Sequence, residues 1–565
     1  MDFPLLVAAV LMTAATAVAL AHVTGRYAWC AAAGSAAILL LHTRVFFNYQ
    51  SDDAYISFRY ARNLADGFGP VWNRGDRVEG YSNFLWMALL AATRKLGMDT
   101  PLTARWLGFA LSVAAAAGAY HMACRLLPGA PGRVAGVIAA VVLAASGPWA
   151  AWAMAGLEGS LFATLIVAAV LLHLREREHG GVPASGAVWA LVAMTRPDGI
   201  LFFGVTAAFK LAEAISRRDR GGAPEAPPAG DARSRRDGEF LRLAVWAGGF
   251  ALLFVPYFAW RYSYYGWLFP NTYYAKVGSN LIQYDRGLRY FAHFCRDYAA
   301  PLLLLVPVAI AFNAIKRGPA LYLSALFAGW TAYVVYVGGD ALVEARLFQP
   351  VLPIFYVLIS CSAAALLDRV RLEPMPPRAL RVTAVALATA GFIAFTLQPS
   401  VDGLGIFGTQ SEHDVLRDRR EIGLWLHDQM PSTTVIALIP AGTLPYFAQL
   451  SSIDMLGLND EHIAHRDLAL GVANAGHEKF DTDYVLGRKP EIIFLIDSTT
   501  PLPVRGSDYA VLASYIPAFL DMKRNPRLLK EYTARSVELH KGRWINLLVR
   551  RDAAAVLSKT VAAPQ

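Results

Sequence analysis

SDDAYISFRYARNLADGFGPVWNRGDRVEGYSNFLW, residues 51–86, follows directly on an apolar run and is dense in charge. Ser51 or Asp52 is placed to cap a helix that Gly67 ends, because a short side-chain oxygen satisfies the free N–H groups of a first turn and glycine accepts the left-handed stop. Within it Ile56, Tyr60 and Leu64 recur every four residues and form an apolar stripe, while Arg59, Arg62 and Asp66 point elsewhere. Such a helix is expected to lie in a membrane interface. Gly67, Gly69, Pro70 and the turn Asn73 to Gly75 then reverse the chain, so Glu79, Tyr81 and Asn83 are expected back near Asp52 and Asp53.

The rest of the chain explains why a membrane is the setting. Of 565 residues, 56% are hydrophobic and only 17% charged, against about 25% charged in soluble domains. Apolar runs near 4 to 21, 27 to 47, 81 to 93, 103 to 124, 134 to 150, 157 to 174, 184 to 214 (interrupted), 241 to 259, 301 to 314, 319 to 337, 347 to 366 and 380 to 397 approach the ~20 residues that a spanning helix needs. They predict a polytopic α-helical membrane domain over 1–400 with about 11 to 13 spans. The run at 81 to 93 is short for a crossing and is expected to dip in and return, or a neighbouring span is misread. The first run is too long for the apolar core of a signal peptide and no Lys or Arg precedes it, so it reads as a retained helix.

The net charge of +9 reflects topology rather than nucleic acid. Lys and Arg cluster in the connectors at 22 to 26, 125 to 133, 175 to 178, 216 to 237, 316 to 317 and 368 to 381, which the positive-inside bias assigns to the cytoplasm. The loops 48 to 80, 146 to 160, 260 to 300 and 338 to 346, and everything after 400, then face outside. The connector SRRDRGGAPEAPPAGDARSRRD (216 to 237) reads as a disordered linker. Four cysteines, three of them in apolar runs and none in a C-x-x-C pair, give no disulfide framework and no thiolate metal site. Beyond 400, the short runs TVIALI (434 to 439), EIIFLI (491 to 496) and WINLLV (544 to 549) alternate with helical stretches such as 413 to 430, which predicts a soluble α/β domain over 401–565.

Paired carboxylates at a membrane surface suit sugar transfer from a lipid phosphate. A carboxylate can take the proton of the attacking hydroxyl, and cations can stabilise the departing phosphate. Asp52 and Asp53 are the candidate catalytic residues, with Arg59, Arg62, Glu79 and Asn83 beside them; the plainer alternative is that the two acids only favour the helix N-terminus. Arg196 and Asp198 interrupt an apolar segment at TRPDG (195 to 199), where ionisable groups are functional candidates; Arg196 either grips phosphate through paired hydrogen bonds or simply pairs with Asp198. Asp340 and Arg346 flank a short external loop. The stretch WRYSYYGWLFPNTYYAK (260 to 276) is an aromatic belt or a sugar platform, and Lys276 adds a cation. His477, Glu478, Asp481 and Asp483 lack zinc spacing, and Asp454, His462 and His465 call for the same reserve.

An Asp-Asp pair in the first external loop, many spans and a trailing soluble domain resemble the GT-C superfamily of membrane glycosyltransferases that use polyprenyl-phosphate sugars. The string DDAYISFRYARNLADGFGPVWNRGDRVEGYSNFLW is similar to the arabinofuranosyltransferase branch, which builds cell-wall arabinan from decaprenyl-phospho-arabinofuranose. The similarity continues at TRPDG, VGGDALVEARLFQP (337 to 350), IDMLGLND (453 to 460) and GHEKFDTDYVLGRKPEII (476 to 493). It implies a GT-C fold, catalysis by Asp52 and Asp53, and a soluble domain whose Asp454 and His477 segments fold over the membrane site. The expected partners are a polyprenyl-phosphate D-arabinofuranose donor, membrane lipid and an extracytoplasmic glycan or glycoprotein acceptor, in the inner or plasma membrane. No nucleic-acid partner is expected. A divalent cation is a possible cofactor, with Asp52 its candidate ligand; inversion and retention both stay open. The rival reading, a transporter or flippase of a lipid-linked sugar, calls for paired broken helices in two related halves, whereas the sequence shows an interruption only within 184 to 214.

Overall fold

The computed structural model describes residues 3–220, 229–278, 280–369, 378–397, 406–471, 473–504 and 516–553. Among these, six helices are long and apolar enough to cross a membrane: Pro4–Thr24, Thr100–Leu126, Gly159–His179, Phe240–Tyr265, Arg317–Tyr336 and Arg346–Arg369. Two bent pairs raise the number to eight if each is one span, and Tyr27–His42, Ser185–Thr195 and Leu387–Leu397 are shorter apolar helices. The run near 81 forms Phe84–Lys95, a helix of 12 residues that is too short to span.

Two expectations change in the membrane domain. Interruptions are not confined to 184 to 214: Gly129–Ala145 bends by 62° into Gly147–Met154, and Leu281–Asp297 by 83° into Ala300–Ala311. Pro148 and Pro301, just inside the second member of each pair, cannot supply the N–H that a continuous helix would use. Unbroken helices therefore do not argue against a transporter. The expected linker at 216 to 237 is helical on both sides, through Arg220 and again from Ala229, because its Arg- and Ala-rich flanks favour helix; residues 221–228 lie outside the described residues. So does the expected domain boundary at 400.

The basic connectors gather at one end of the bundle. Arg125 and Lys316 both pair with Glu178, the latter at 3.2 Å. Glu158 and Glu178 lie at opposite ends of Gly159–His179, about 30 Å apart at 1.5 Å per residue. The charged connectors and the end that carries Glu158 thus face opposite sides of the membrane domain.

After the helix Ile406–Gln429, five strands form one sheet: β1 (Val435–Leu438), β2 (Ser451–Asp454), β3 (Ile492–Ile493), β4 (Tyr532–His540) and β5 (Arg543–Arg550). The order is β2-β1-β3-β5-β4, with β2, β1 and β3 parallel and β5 antiparallel to both neighbours. The three apolar runs read in the sequence supply β1, β3 and β5. Strand alternation sends Ile436, Leu438 and Ile492 toward Ile422 and Leu426 of the helix, and Ala437 and Ile493 toward a second core with Val485 and Phe519.

Helix Asp52–Ala65 sits between the two domains, with Ala54 through Asn63 all buried. It is not an interfacial helix with a wet polar face, because the α/β domain covers that face. Arg59 donates to Trp72 O at 2.8 Å, Pro445 O at 2.8 Å and Leu450 O at 2.7 Å, and Arg62 donates to Tyr446 O at 2.7 Å. Asp454, at the end of β2, accepts from the N–H groups of Leu456 and Asn459 and from the Asn459 side chain, at 2.8 to 3.0 Å. It thereby orients Asn459, whose Oδ1 accepts from Tyr60 at 3.2 Å.

Burial raises the Asp454 carboxyl from 3.8 to about 6, against the opposing pull of its Asn459 and Leu456 hydrogen bonds. Between those values the folded state holds a proton that the unfolded chain has lost, so this group's contribution to stability falls as pH rises through the window. Thermal melts of the full-length protein in detergent are expected to show a stability difference between Asp454→Asn and wild type that changes from pH 4 to 6 in that sense. A difference independent of pH there would refute the assignment.

Candidate active site

Ser51 occupies the N-cap position but makes no side-chain cap; its N–H instead donates to Ala155 O at 3.0 Å. That bond ties the start of Asp52–Ala65 to the turn before Glu158. Successive helical residues point about 100° apart, so the two adjacent acids meet different surroundings. Asp52 faces the α/β domain, where it accepts from Thr443 N at 2.9 Å and Gly442 N at 3.3 Å and pairs with Arg419 at 3.2 Å. A Cβ on Gly442 would fall 1.9 Å from Asp52 O, which makes glycine a condition of this approach. Asp53 is far less engaged: Lys276 Nζ stands 4.0 Å away, and 33% of the Asp53 side chain is exposed.

Cations and acids from distant segments converge on this point. Lys276 ends the short helix Asn271–Lys276. Gly476 lies against it, since a Cβ there would meet Lys276 Cε at 2.8 Å. His477 follows, and burial together with the Lys276 cation pushes its imidazole below the ordinary value, with Asp53 acting in the opposite direction. Arg346 pairs with Asp340 at 2.5 Å, lies 5.5 Å from the Trp152 ring centroid and also feels the Asp53 charge. Burial opposes ionisation of Asp340, yet Arg346 and Lys276 outweigh it and hold the carboxyl below its usual range. Glu344 and Ala345, immediately before Arg346, both adopt left-handed backbone, with φ 58° and 42°, a conformation that costs energy outside glycine.

A cleft of about 350 Å³ continues from Arg346, lined by Trp152, Glu158, Arg196, Trp330 and Gln349. Arg196 does close on Asp198, at 2.7 Å, but it also reaches Glu158 at 2.7 Å. Asn83 donates to Glu158 at 2.8 Å and exchanges hydrogen bonds with Ser57 one turn beyond Asp53. Of the candidates, Asp53, Lys276, Asp340, Arg346, Arg196, Asp198, Asn83 and His477 therefore share one charged patch at the domain boundary.

Other candidates lie elsewhere. Arg59 is held by carbonyls from both sides of the domain boundary and Arg62 by Tyr446 O, Asp454 holds its own turn, and Glu79 forms a buried two-point pair with Arg261 at 2.5 and 3.0 Å. Asp52 is an anchor. Glu478 accepts from Gly471 N and Ala473 N, Asp481 pairs with His462 and Arg466, and Asp483 bonds Asn525. No group of three His, Cys, Asp or Glu side chains among the described residues is arranged to hold a metal ion. Two residues escaped the sequence reading. Glu158 did have a signal, being the sole Asp, Glu, Lys or Arg between Arg133 and Arg175; Arg419 is one of several charges on an ordinary helix.

The division between the two acids predicts that Asp52→Ala, which removes an ion pair and two acceptors, lowers stability by about 1 to 3 kcal/mol. Asp53→Asn should leave it unchanged. Thermal melts of both variants in detergent check this, and equal destabilisation would reject the division.

Residues 406–540 match a family described as a domain of unknown function, DUF8728. The Terminal beta-(1->2)-arabinofuranosyltransferase of Mycobacterium tuberculosis is 31% identical over 287 residues, which is 48% of this chain and 42% of that protein; the match thus spans less than half the relative's length. Two crystal structures of ArnT from Cupriavidus metallidurans, one bound to undecaprenyl phosphate and one in the apo state, superpose with TM-scores of 0.57 and 0.53 at 13% identity, each covering 94% of this chain and 98% of theirs. Similar over about half its length to an arabinofuranosyltransferase and along nearly all of it to the architecture of ArnT, the chain is a multi-pass helical membrane protein with the fold of ArnT.

Proposed function

We propose that this protein is a membrane glycosyltransferase that moves a sugar, D-arabinofuranose, from polyprenyl phosphate to an extracytoplasmic glycan or glycoprotein. The observation that carries the reading is Asp53, an open carboxylate on a helix N-terminus, facing Lys276 and the Arg346 side of a cation-lined cleft. The sugar rests on the similarity to the arabinofuranosyltransferase. A lipid phosphate rests on the same cleft, and the ArnT structure of like fold is bound to undecaprenyl phosphate.

In this reading Asp53 accepts the proton of the acceptor hydroxyl as its oxygen bonds to the anomeric carbon. The bond from that carbon to the phosphate oxygen breaks, its electron pair leaves with the lipid phosphate, and Arg346, Lys276 and Arg196 stabilise the charge. Asp340, Glu158 and Asp198 keep these cations aimed before substrate arrives. His477, brought by the α/β domain, stands beside Lys276 and Asp53. A divalent cation, if one takes part, would be held by Asp53 with oxygens of the substrate, since both Asp52 oxygens already have partners. The clustering of basic connectors at the far end of the bundle supports an extracytoplasmic site and α/β domain. A reporter fused at Ala441 tests that orientation and should be active only as an external reporter.

Reconstitution with synthetic polyprenyl-phospho-arabinofuranose and an arabinan oligosaccharide, with linkage analysis of the product, tests the chemistry. Wild type should form a new glycosidic bond, and Asp53→Asn should lose about 10²- to 10⁴-fold in rate at equal protein level. Activity of Asp53→Asn within about twofold of wild type would reject the catalytic assignment. Transfer from polyprenyl-phospho-mannose alone would reject the sugar, and donor movement between leaflets without product would favour the transporter.

A further inference from the structure

At the opposite end of the membrane domain lies a second, open cavity of about 690 Å³, lined by Glu176, Arg177, Gly180, Lys210, Glu213 and Arg242 among others. Most of its charges are paired. Glu176 bonds Lys210 at 3.1 Å and caps Ser185 at 2.7 and 2.8 Å, and Arg177 pairs with Glu213. Arg242 is the exception, since it makes no ion pair or hydrogen bond among the described residues. Its space is reserved by Gly180, whose φ is +71° and where a Cβ would come within 2.8 Å of Arg242 Nη2. The cavity therefore presents an excess cation on otherwise neutralised walls.

A lipid-facing surface leads away from it. Helix Ala229–Tyr265 carries Leu241, Val245, Leu252 and Val255, 50 to 75% exposed, at successive spacings of four, seven and three residues that place them on one stripe. Gly248, in the gap between Val245 and Leu252, faces open space. The stripe extends about 21 Å along the axis, from the level of Arg242 toward the membrane centre. Glu176 is 18 positions beyond Glu158 on one straight helix, about 27 Å away, so the cavity lies on the face where the basic connectors gather.

We propose that this cavity binds the phosphate headgroup of an anionic phospholipid of the cytoplasmic leaflet, with Arg242 contacting the phosphate and the acyl chains lying along the Leu241–Val255 stripe. A headgroup alone would need only the cavity, whereas the adjoining apolar stripe suits a ligand with hydrocarbon attached. The site is separate from the candidate active site and takes a resident lipid rather than the donor.

Native mass spectrometry of the full-length protein in detergent, titrated with phosphatidylglycerol or phosphatidylcholine, tests this. Wild type should retain phosphatidylglycerol at least about fivefold better, the scale of one cation near a lipid surface. Arg242→Gln should abolish the preference, and Arg242→Lys should keep part of it. No preference in wild type, or an undiminished one in Arg242→Gln, would overturn the site. Displacement of phosphatidylglycerol by an equal concentration of inorganic phosphate would assign the cavity to a free anion and overturn the lipid proposal. Both substitutions leave every hydrogen bond described here intact, and gel filtration verifies that the variants stay monodisperse.

Discussion

The Asp52 carboxylate is gripped by two backbone N–H groups and by Arg419, and through it the α/β domain is fastened to the first turn of helix Asp52–Ala65. About two turns later Arg59 spends its donors on carbonyls from both sides of the boundary. Buried charges persist only when paired or hydrogen-bonded, so these contacts set both the position and the rotation of the helix. Once Asp52 points into the domain, Asp53 must point away from it, toward Lys276 and the membrane cleft. Loops around Gly476 and His477 are carried to the same place by the same docking.

Within the cleft, charge balance follows the same constraint. Each strong cation is matched by an acid: Arg196 by Glu158 and Asp198, Arg346 by Asp340. Desolvated guanidinium groups without such partners would be strongly destabilising. Under the proposed function these acids give the site its readiness. They hold cations in line for a phosphate, and an incoming phosphate adds a second anion to groups already oriented. Lys276 is more loosely held, at 4.0 Å from Asp53, and so has freedom to follow the substrate. The left-handed Glu344 and Ala345 next to Arg346 are further signs that its placement is imposed by surrounding structure rather than by local preference.

Several site residues could be named from their neighbours in the chain. Asp53 follows a span and opens an amphipathic helix; Arg196 and Asp198 break an apolar run; Arg346 follows paired glycines in a short loop. Others could not be sorted. Arg59 and Arg62 look as available as Arg346, and Glu79 as available as Asp340, because a charge in a short sequence window carries no record of what it meets. Glu158 stood out only as a lone acid in a long apolar stretch. The bent helix pairs were hidden as well, since Pro148 and Pro301 sit near ends of apolar runs where a proline is equally at home at the start of a new helix.

The sequence by itself determined what depends on neighbours a few residues apart. Hydrophobic periodicity and length marked most membrane helices, alternating short runs marked β1, β3 and β5, and Ser51 with Gly67 bracketed the helix between the domains. Tertiary structure decided which of two adjacent aspartates is free, because the partners of Asp52 are some 390 positions away. It also decided that Arg59 is an anchor, that Glu158 joins Asn83 to Arg196, and that His477 comes close enough to Lys276 and Asp53 to feel their charges. The reason is physical: local pattern governs the shape of a segment, whereas the charge state, burial and availability of a side chain depend on which distant surface folding brings against it.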